Sequence, residues 1–278
     1  IIKIKDPISF LNNFAKFKRN YSSAKILAIT GSTGKTSLKS LIKDLLQNVG
    51  KTYCSPKSFN NHLGVPISLS NLSTDDKFGI FEVGMSKSGE IKKLSNLIKP
   101  NIAVITNVGE AHIENFHNIF GIAKAKSEII EEVEPGGLVI LNRDDKFYKY
   151  LFNKAKSHNL KISSFGVHKD SDVCLKKIIK KDDLSKVLIS LKNRQINFKI
   201  KNLNIYNVLS AIAVLDELKI DISKIKKKFI NFEPLEGRGK KYIIKRYRKK
   251  FKLIDESYNA NPSSVKNALN KYSMIKKE

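Results

Sequence analysis

The chain has 278 residues, 41% of them hydrophobic, which is enough for one large or two ordinary domains with a proper core. It carries 52 Lys+Arg against 26 Asp+Glu, a formal net charge of +26, spread mostly as Lys along the whole length beside abundant Ile and Asn and no Trp. That spread reads as compositional drift, and a nucleic-acid partner, which would need a localised basic patch, is not expected. Cys54 and Cys174 lack CxxC or ligand spacing, which argues against a disulfide framework or a thiolate metal site. No apolar run approaches the ~18 residues of a membrane span and no segment reads as a signal peptide, so a soluble, cytoplasmic protein is expected. The first residue is Ile1, which suggests a processed chain or a fragment.

Residues 1–24 are polar with a weak helical pattern through Phe10, Leu11, Phe14 and Phe17, read as a linker or terminal helix. Ile26 to Ile29 is a short apolar strand running into a Gly-rich turn, and Leu38, Leu41, Ile42, Leu45, Leu46 and Val49 follow at helical spacing. Phe78 to Val83 and Ile102 to Ile105 read as buried strands around a helix from Ile91 to Ile98 that stops before Pro100. A helix from Ile119 to Val133 ends at Pro135-Gly136-Gly137, followed by a strand at Leu138 to Leu141 and a helix at Phe147 to Ala155. This alternation implies a parallel sheet with right-handed crossovers. Residues 161–200 look different: four runs from Ile162 to Ile200 read as strands of an antiparallel annex. Residues 204–230 return to helix, and a Gly-containing joint spans Pro234 to Lys240. Tyr242 to Ile254 alternates like a strand pair, and Pro262 to Met274 looks helical.

The expected fold is therefore α/β, a mostly parallel phosphate-loop-type sheet flanked by helices with a small antiparallel annex. Residues 25–236 form the central domain on this reading, and residues 237–278 begin a second α/β domain.

Thr30-Gly31-Ser32-Thr33-Gly34-Lys35-Thr36 joins the first strand to a helix. Glycine lets the backbone curl so that N–H groups point at phosphate oxygens, and the helix N-terminus adds partial positive charge. Lys35 can reach the β and γ phosphates and the Thr36 hydroxyl can bind Mg²⁺. The general pattern asks for a Gly five residues before Gly34, where Ile29 stands.

This loop, without the early Gly, resembles the ATP loop of the Mur ligase family. Four further segments agree in order and spacing: Asn60-Asn61-His62-Leu63-Gly64-Val65-Pro66, Phe81-Glu82-Val83-Gly84-Met85-Ser86, Thr106-Asn107-Val108-Gly109-Glu110-Ala111-His112, and Ala123-Lys124-Ala125-Lys126. Ser257-Tyr258-Asn259-Ala260-Asn261-Pro262 looks like the signature of the members whose acceptor is D-alanyl-D-alanine. The resemblance covers about residues 5 to 270. It implies ATP-driven amide formation, with UDP-N-acetylmuramoyl-tripeptide and D-alanyl-D-alanine as the joined partners, a monomer, and two Mg²⁺ ions. The family has an N-terminal UDP-substrate domain, a central ATPase and a C-terminal amino-acid-binding domain. On this resemblance the sequence is expected to be a fragment without the first and with only the opening segments of the last.

Thr36, Glu82 and His112 each follow a strand, and ligands collect at the carboxyl ends of strands in an open parallel sheet. A hydroxyl, a carboxylate and an imidazole there suit Mg²⁺ beside phosphates, although Glu82 could be a plain solvated carboxylate and His112 a satisfied loop histidine. At about 100° per residue, Lys126 falls in the middle of the apolar arc of Ile119, Ile122, Ala123, Ile129, Ile130 and Val133. An inward lysine is costly unless paired, chemically altered or snorkelling. The family carries a carbamylated lysine at the matching position, and the resemblance extends that modification and a metal-binding role to Lys126. The resemblance also places Gly31, Ser32, Thr33, Gly34, Lys35, Asn204, Asn207, Arg238 and Glu256 around ATP, with Leu203 where the family usually has His and Glu256 where many relatives have Asp. Asn204 could simply cap a helix. By the same resemblance Asn60 and Asn61 face the muramoyl substrate, and Tyr258, Asn259 and Asn261 lie near the interdomain cleft. Rival readings are another amide ligase of the superfamily, with a different amino acid, and a non-catalytic nucleotide-binding paralogue.

Overall fold

The structure is a computed structural model that describes residues 3–181, 184–192, 194–258, 260, 264–266 and 268–269. The chain opens with α1 (Pro7–Tyr21), β1 (Lys25–Thr30), α2 (Lys35–Leu46), β2 (Thr52–Cys54), α3 (Gly64–Ser70) and β3 (Phe78–Glu82). Then come α4 (Glu90–Ile98), β4 (Ile102–Ile105), a 3-10 turn at Ile113–Asn115, α5 (Ile119–Glu131), β5 (Leu138–Asn142), α6 (Tyr148–Ser157) and β6 (Lys161–Gly166). A meander of β7 (Val173–Lys181), β8 (Leu184–Leu191) and β9 (Arg194–Lys201) precedes α7 (Ile205–Glu217), α8 (Ile222–Ile225) and α9 (Lys228–Asn231). The strands β10 (Lys240–Arg246) and β11 (Lys249–Asp255) close the series.

Among the described residues the first nine strands form one sheet, in the order β2-β3-β1-β4-β5-β6-β7-β8-β9. β1 is central, parallel to β3 on one side and to β4 on the other. Its alternate residues feed opposite faces: Leu27 and Ile29 pack with α2 and α7, whereas Ile26 and Ala28 pack with residues of α1, α4 and α5. Both faces are covered, so the strand reads as a continuous apolar run, as parallel sheets require. At roughly 25 cal/mol per Å² of apolar surface, each fully buried Leu or Ile stabilises the fold by about 2–3 kcal/mol before entropy is counted.

The antiparallel annex is smaller than the sequence suggests. β6 pairs in parallel with β5, and β7 begins in parallel with β6; only the β7–β8 and β8–β9 ladders are antiparallel. The polar alternation of Lys161-Ile162-Ser163-Ser164 reflects a half-exposed strand near the rim of the parallel part, and exposure on one face does not fix the direction of the partner. The helical stretch at 204–230 is likewise α7 followed by two short helices rather than one element.

Residues 7–21 form a docked helix. Asp6 caps it, its Oδ1 accepting from the backbone N–H of Ile8 and Ser9, and Pro7 opens the first turn. Ala15 is buried against the α3 and α4 side, and Arg19 donates to the Ile98 carbonyl at 2.6 Å and the Lys99 carbonyl at 2.7 Å, satisfying the C-terminal end of α4. β10 and β11 form a separate antiparallel pair, as their alternation predicts. Of the helix expected from Pro262 to Met274, residues 262, 263, 267 and 270–274 lie outside the described residues, as do Asn259 and Asn261. No helix among the described residues is long and apolar enough to cross a membrane.

Candidate functional site

The strand order sets the site. Because β3, β1 and β4 are neighbours, the turns at their carboxyl ends open onto one crevice, and these turns carry Glu82, the phosphate loop and His112. Gly34 adopts φ +84 at the N-cap of α2, and no side chain caps that helix, leaving its first N–H groups for an anion. Gly31 stands at φ +146, and a Cβ there would fall 1.9 Å from Thr106 Oγ1. The close approach is functional for the loop's shape: Thr106 Oγ1 donates to the Thr33 carbonyl at 2.6 Å, and Asn107 Nδ2 donates to Thr33 Oγ1 at 2.9 Å. The backbone N–H groups of Ser32 and Thr33 in turn donate to the Asn107 carbonyl and Oδ1, both at 3.0 Å, and the Gly109 N–H reaches Ser32 Oγ at 2.8 Å. The segment after β4 is thus a belt that fixes the phosphate loop.

Lys35 Nζ donates to the Gly31 carbonyl at 2.8 Å, curling back over the loop. Burial lowers its pKa, with Glu82 acting in the opposite direction and Arg238 reinforcing the drop. Glu82 is 1% exposed. Its Oε2 accepts from Thr36 Oγ1 at 2.7 Å and its Oε1 from Asn60 Nδ2 at 2.8 Å. Asn61 spends its side-chain oxygen at the start of α3, accepting from Gly64 N at 2.8 Å. His112 is half-exposed, stands in the left-handed region at φ +63, and has Nδ1 3.8 Å from Glu114 Oε1.

Lys126 points inward, as its place in the apolar arc of α5 predicts, and is 3% exposed. Among the described residues no hydrogen bond or ion pair holds its ammonium. Desolvation, with a further push from the Lys35 charge, holds its pKa well below the ordinary lysine value.

The far wall comes from the end of the chain. The Arg238 guanidinium lies 4.1 Å from the centre of the Tyr258 ring, and the Tyr258 hydroxyl donates to Ser58 Oγ at 2.7 Å. Gly237, at φ +70, and Gly239 are tied to Asp255 Oδ2 and the Asp255 carbonyl. Together these groups enclose a cavity of about 620 Å³.

The predicted residues Gly31, Ser32, Thr33, Gly34, Lys35, Thr36, Asn60, Asn61, Glu82, His112, Lys126, Arg238 and Tyr258 all line that cavity. Asn204, Asn207 and Glu256 do not. Asn204 Oδ1 caps α7, accepting from Tyr206 N at 2.9 Å. Asn207 is buried, with its side-chain oxygen 2.9 Å from where a Gly34 Cβ would sit, so it backs the phosphate loop. Several residues outside the sequence-based set also line or back the cavity, among them Glu90, Lys93, Leu94, Ser58 and Lys39. Ser58 has no motif to mark it. Lys39, fully buried beneath Glu82, does carry a signal, since it sits about 20° from Leu46 on the helical wheel, at the edge of the apolar arc of α2.

The donor set can be tested for the groups it would hold. An uncapped helix end behind a glycine cradle fits a di- or triphosphate. Thr36 Oγ1 and Glu82 are adjacent hard oxygens, and Mg²⁺ is ordinarily bound by one or two such protein ligands together with phosphates and waters. Among the described residues no cluster of three His, Cys, Asp or Glu could hold a metal alone. A second ion near His112 fits only if Lys126 supplies an anionic oxygen, since an amine is a poor ligand for a hard cation.

A doubly covered parallel sheet with an uncapped, lysine-bearing glycine loop at its centre defines a phosphate-loop α/β protein. The Mur ligase middle domain matches residues 29–215, more than half of the chain. The chain belongs to the Mur ligase family. It is 35% identical over 275 residues to the UDP-N-acetylmuramoyl-tripeptide–D-alanyl-D-alanine ligase of Rickettsia prowazekii, an alignment covering 97% of this chain and 60% of that protein. The Escherichia coli ligase of the same name is 29% identical over 279 residues, covering 94% of this chain and 58% of that protein. A crystal structure of MurF from Acinetobacter baumannii superposes with a TM-score of 0.90 at 28% identity, covering 99% of this chain and 60% of that one. The chain therefore spans about 60% of the length of these relatives.

Proposed function

We propose that the intact protein is an ATP-dependent ligase that joins D-alanyl-D-alanine to a UDP-N-acetylmuramoyl-tripeptide. The observation that carries this reading is the convergence, in one cavity, of the phosphate loop with Lys35, the Thr36–Glu82 pair, and the partnerless Lys126, closed by Arg238 and Tyr258. The relatives carrying that activity by name support the choice of substrates.

ATP lies with its phosphates on residues 31–36, Lys35 and Arg238 balancing their charge. Asn207 supports the loop from behind, while Asn204 and Glu256, outside the cavity lining, are assigned to the base and ribose by the family resemblance alone. The tripeptide carboxylate attacks the γ-phosphorus; the bond to the β–γ bridging oxygen breaks, ADP leaves, and an acyl phosphate forms. The D-alanyl-D-alanine amine then attacks the acyl carbon, phosphate leaves, and the amine gives up a proton. Both steps build negative charge, so positioned cations contribute more than acid–base groups. Thr36 and Glu82 would hold one Mg²⁺, which neutralises phosphate charge; His112 and a carbamylated Lys126 would hold a second. Lys126 is suited to that modification because a neutral amine is the nucleophile. Its nitrogen lone pair forms the N–C bond to CO₂, one C=O electron pair moves onto oxygen, and one N–H proton leaves to water. Asn60 and Asn61 face the acyl donor. Tyr258 lines the cavity, and the family resemblance assigns it, with Asn259 and Asn261, to the acceptor.

The test is amide formation by the intact protein with ATP, Mg²⁺ and UDP-N-acetylmuramoyl-tripeptide, offering D-alanyl-D-alanine and single amino acids in parallel. The reading predicts a product heavier by the dipeptide less one water, formed with the dipeptide and not with single amino acids. A product formed only with a single amino acid would establish the rival ligase, and nucleotide binding without any amide product would establish the non-catalytic one.

A further inference from the structure

Beneath the cavity floor, Lys39 is one of the most deeply buried large side chains of the chain. It lies one helical turn after Lys35 and Thr36, on the side of α2 that faces Glu82. Its ammonium donates to the Ser55 carbonyl at 2.8 Å, to Ser55 Oγ at 3.1 Å and to the Lys57 carbonyl. An ammonium has three protons, and these three neutral oxygens take them all. Glu82 Oε2 lies 3.6 Å from the same ammonium, an ion pair that opposes the effect of burial on the Lys39 charge. Ser55 ties the arrangement to the sheet: its N–H donates to the Ile80 carbonyl at 2.9 Å and its Oγ accepts from Glu82 N at 3.3 Å. The same loop holds Lys57 at φ +40, an uncommon conformation for a side-chain-bearing residue, and carries Ser58 and Asn60 to the cavity wall.

We propose that Lys39 is a positioning residue for the proposed metal site: its charge balances the buried Glu82 carboxylate, whose oxygens are oriented by the Thr36 hydroxyl and the Asn60 amide, and it staples the 55–60 loop that brings Asn60 to Glu82. The inference rests on the reading of Thr36 and Glu82 as the metal-binding pair. One feature favours positioning over mere packing: an apolar residue would fill the same volume without satisfying the two loop carbonyls or the buried Glu82 charge.

The experiment compares ADP affinity in excess EDTA with ADP affinity in Mg²⁺, by titration calorimetry on the intact protein, for wild type, Lys39→Met, Lys39→Arg and a control, Leu45→Ala, placed in the core of the same helix. Loss of a residue that orients a metal ligand typically lowers metal affinity by about 10-fold or more. Lys39→Met should therefore cut the Mg²⁺-dependent tightening by about tenfold while metal-free ADP affinity moves less than about threefold. Lys39→Arg, which keeps the charge but not the tetrahedral donor set, should fall between, and it serves if the Met variant does not fold. Leu45→Ala should leave the ratio unchanged despite its lower stability. An unchanged or larger Mg²⁺ ratio in the Lys39 variants, or an equal loss in the control, would overturn the inference. A wild-type ratio of one would remove the metal-pair reading itself, and this inference with it.

Discussion

Replacing Lys126 by Met tests whether its amine is neutral in the folded protein. Lys126 is 3% exposed, has no hydrogen bond or ion pair among the described residues, and has its pKa held well below 10.5 by burial and then by Lys35. In the unfolded chain the same group titrates near 10.5. Between the lowered folded value and 10.5, the unfolded state binds a proton that the folded state lacks. Stability therefore rises with pH across that window, and the penalty of the buried lysine is fully present below the folded value. The slope for one such proton is about 1.4 kcal/mol per pH unit. Lys126→Met removes it. In CO₂-depleted buffer, raising the pH by one unit inside the window should stabilise wild type over the variant by about 1.4 kcal/mol, or roughly 3–6 °C in Tm for a domain of this size. Urea unfolding at paired pH values measures the difference. Adding bicarbonate should then stabilise wild type further and leave Lys126→Met unmoved, because only the folded wild type has the amine to trap CO₂. Parallel pH profiles for the two proteins would refute the argument, since a lysine protonated in both states has no neutral amine to carbamylate.

Three other substitutions probe separate parts of the account. Gly31→Ala places a Cβ 1.9 Å from Thr106 Oγ1 at a positive φ, and denaturant unfolding should show a loss of about 1–3 kcal/mol together with weaker nucleotide binding. Lys35→Ala should weaken Mg·ATP binding about 10- to 100-fold, the equivalent of one charged phosphate contact, in a fluorescence titration with little change in Tm. Arg19→Ala strands the Ile98 and Lys99 carbonyls at the end of α4 and should cost about 1–3 kcal/mol by urea unfolding while leaving ADP affinity intact.

The parts of the molecule legible in the sequence are those written by side-chain periodicity or by backbone-demanding residues. Glycines at 31 and 34 announce the loop because its φ values require them, and the inward turn of Lys126 follows from the 3.6-residue repeat of α5. β2 was not legible: it has three half-buried residues at the edge of the sheet, too few for an alternation to show. α3 starts at Gly64, three residues after the Asn61 whose side-chain oxygen takes its first N–H groups, and it is only seven residues long, too short for a helical repeat to show. The parallel direction of β6 is a property of its partners and not of its own pattern. Lys39 shows its burial on the helical wheel, but the atoms that satisfy it are backbone carbonyls of the 55–57 loop, whose path no side-chain pattern encodes.

The central claim is that the cavity transfers the γ-phosphoryl group of ATP to a substrate carboxylate before the amide forms. Supplying the intact protein with UDP-N-acetylmuramoyl-tripeptide labelled with ¹⁸O in its terminal carboxylate, together with ATP, Mg²⁺ and D-alanyl-D-alanine, tests this by mass spectrometry of the released phosphate. One labelled oxygen should appear in each phosphate, in step with ADP and the dipeptide-extended product. Unlabelled phosphate, or AMP in place of ADP, would contradict the account.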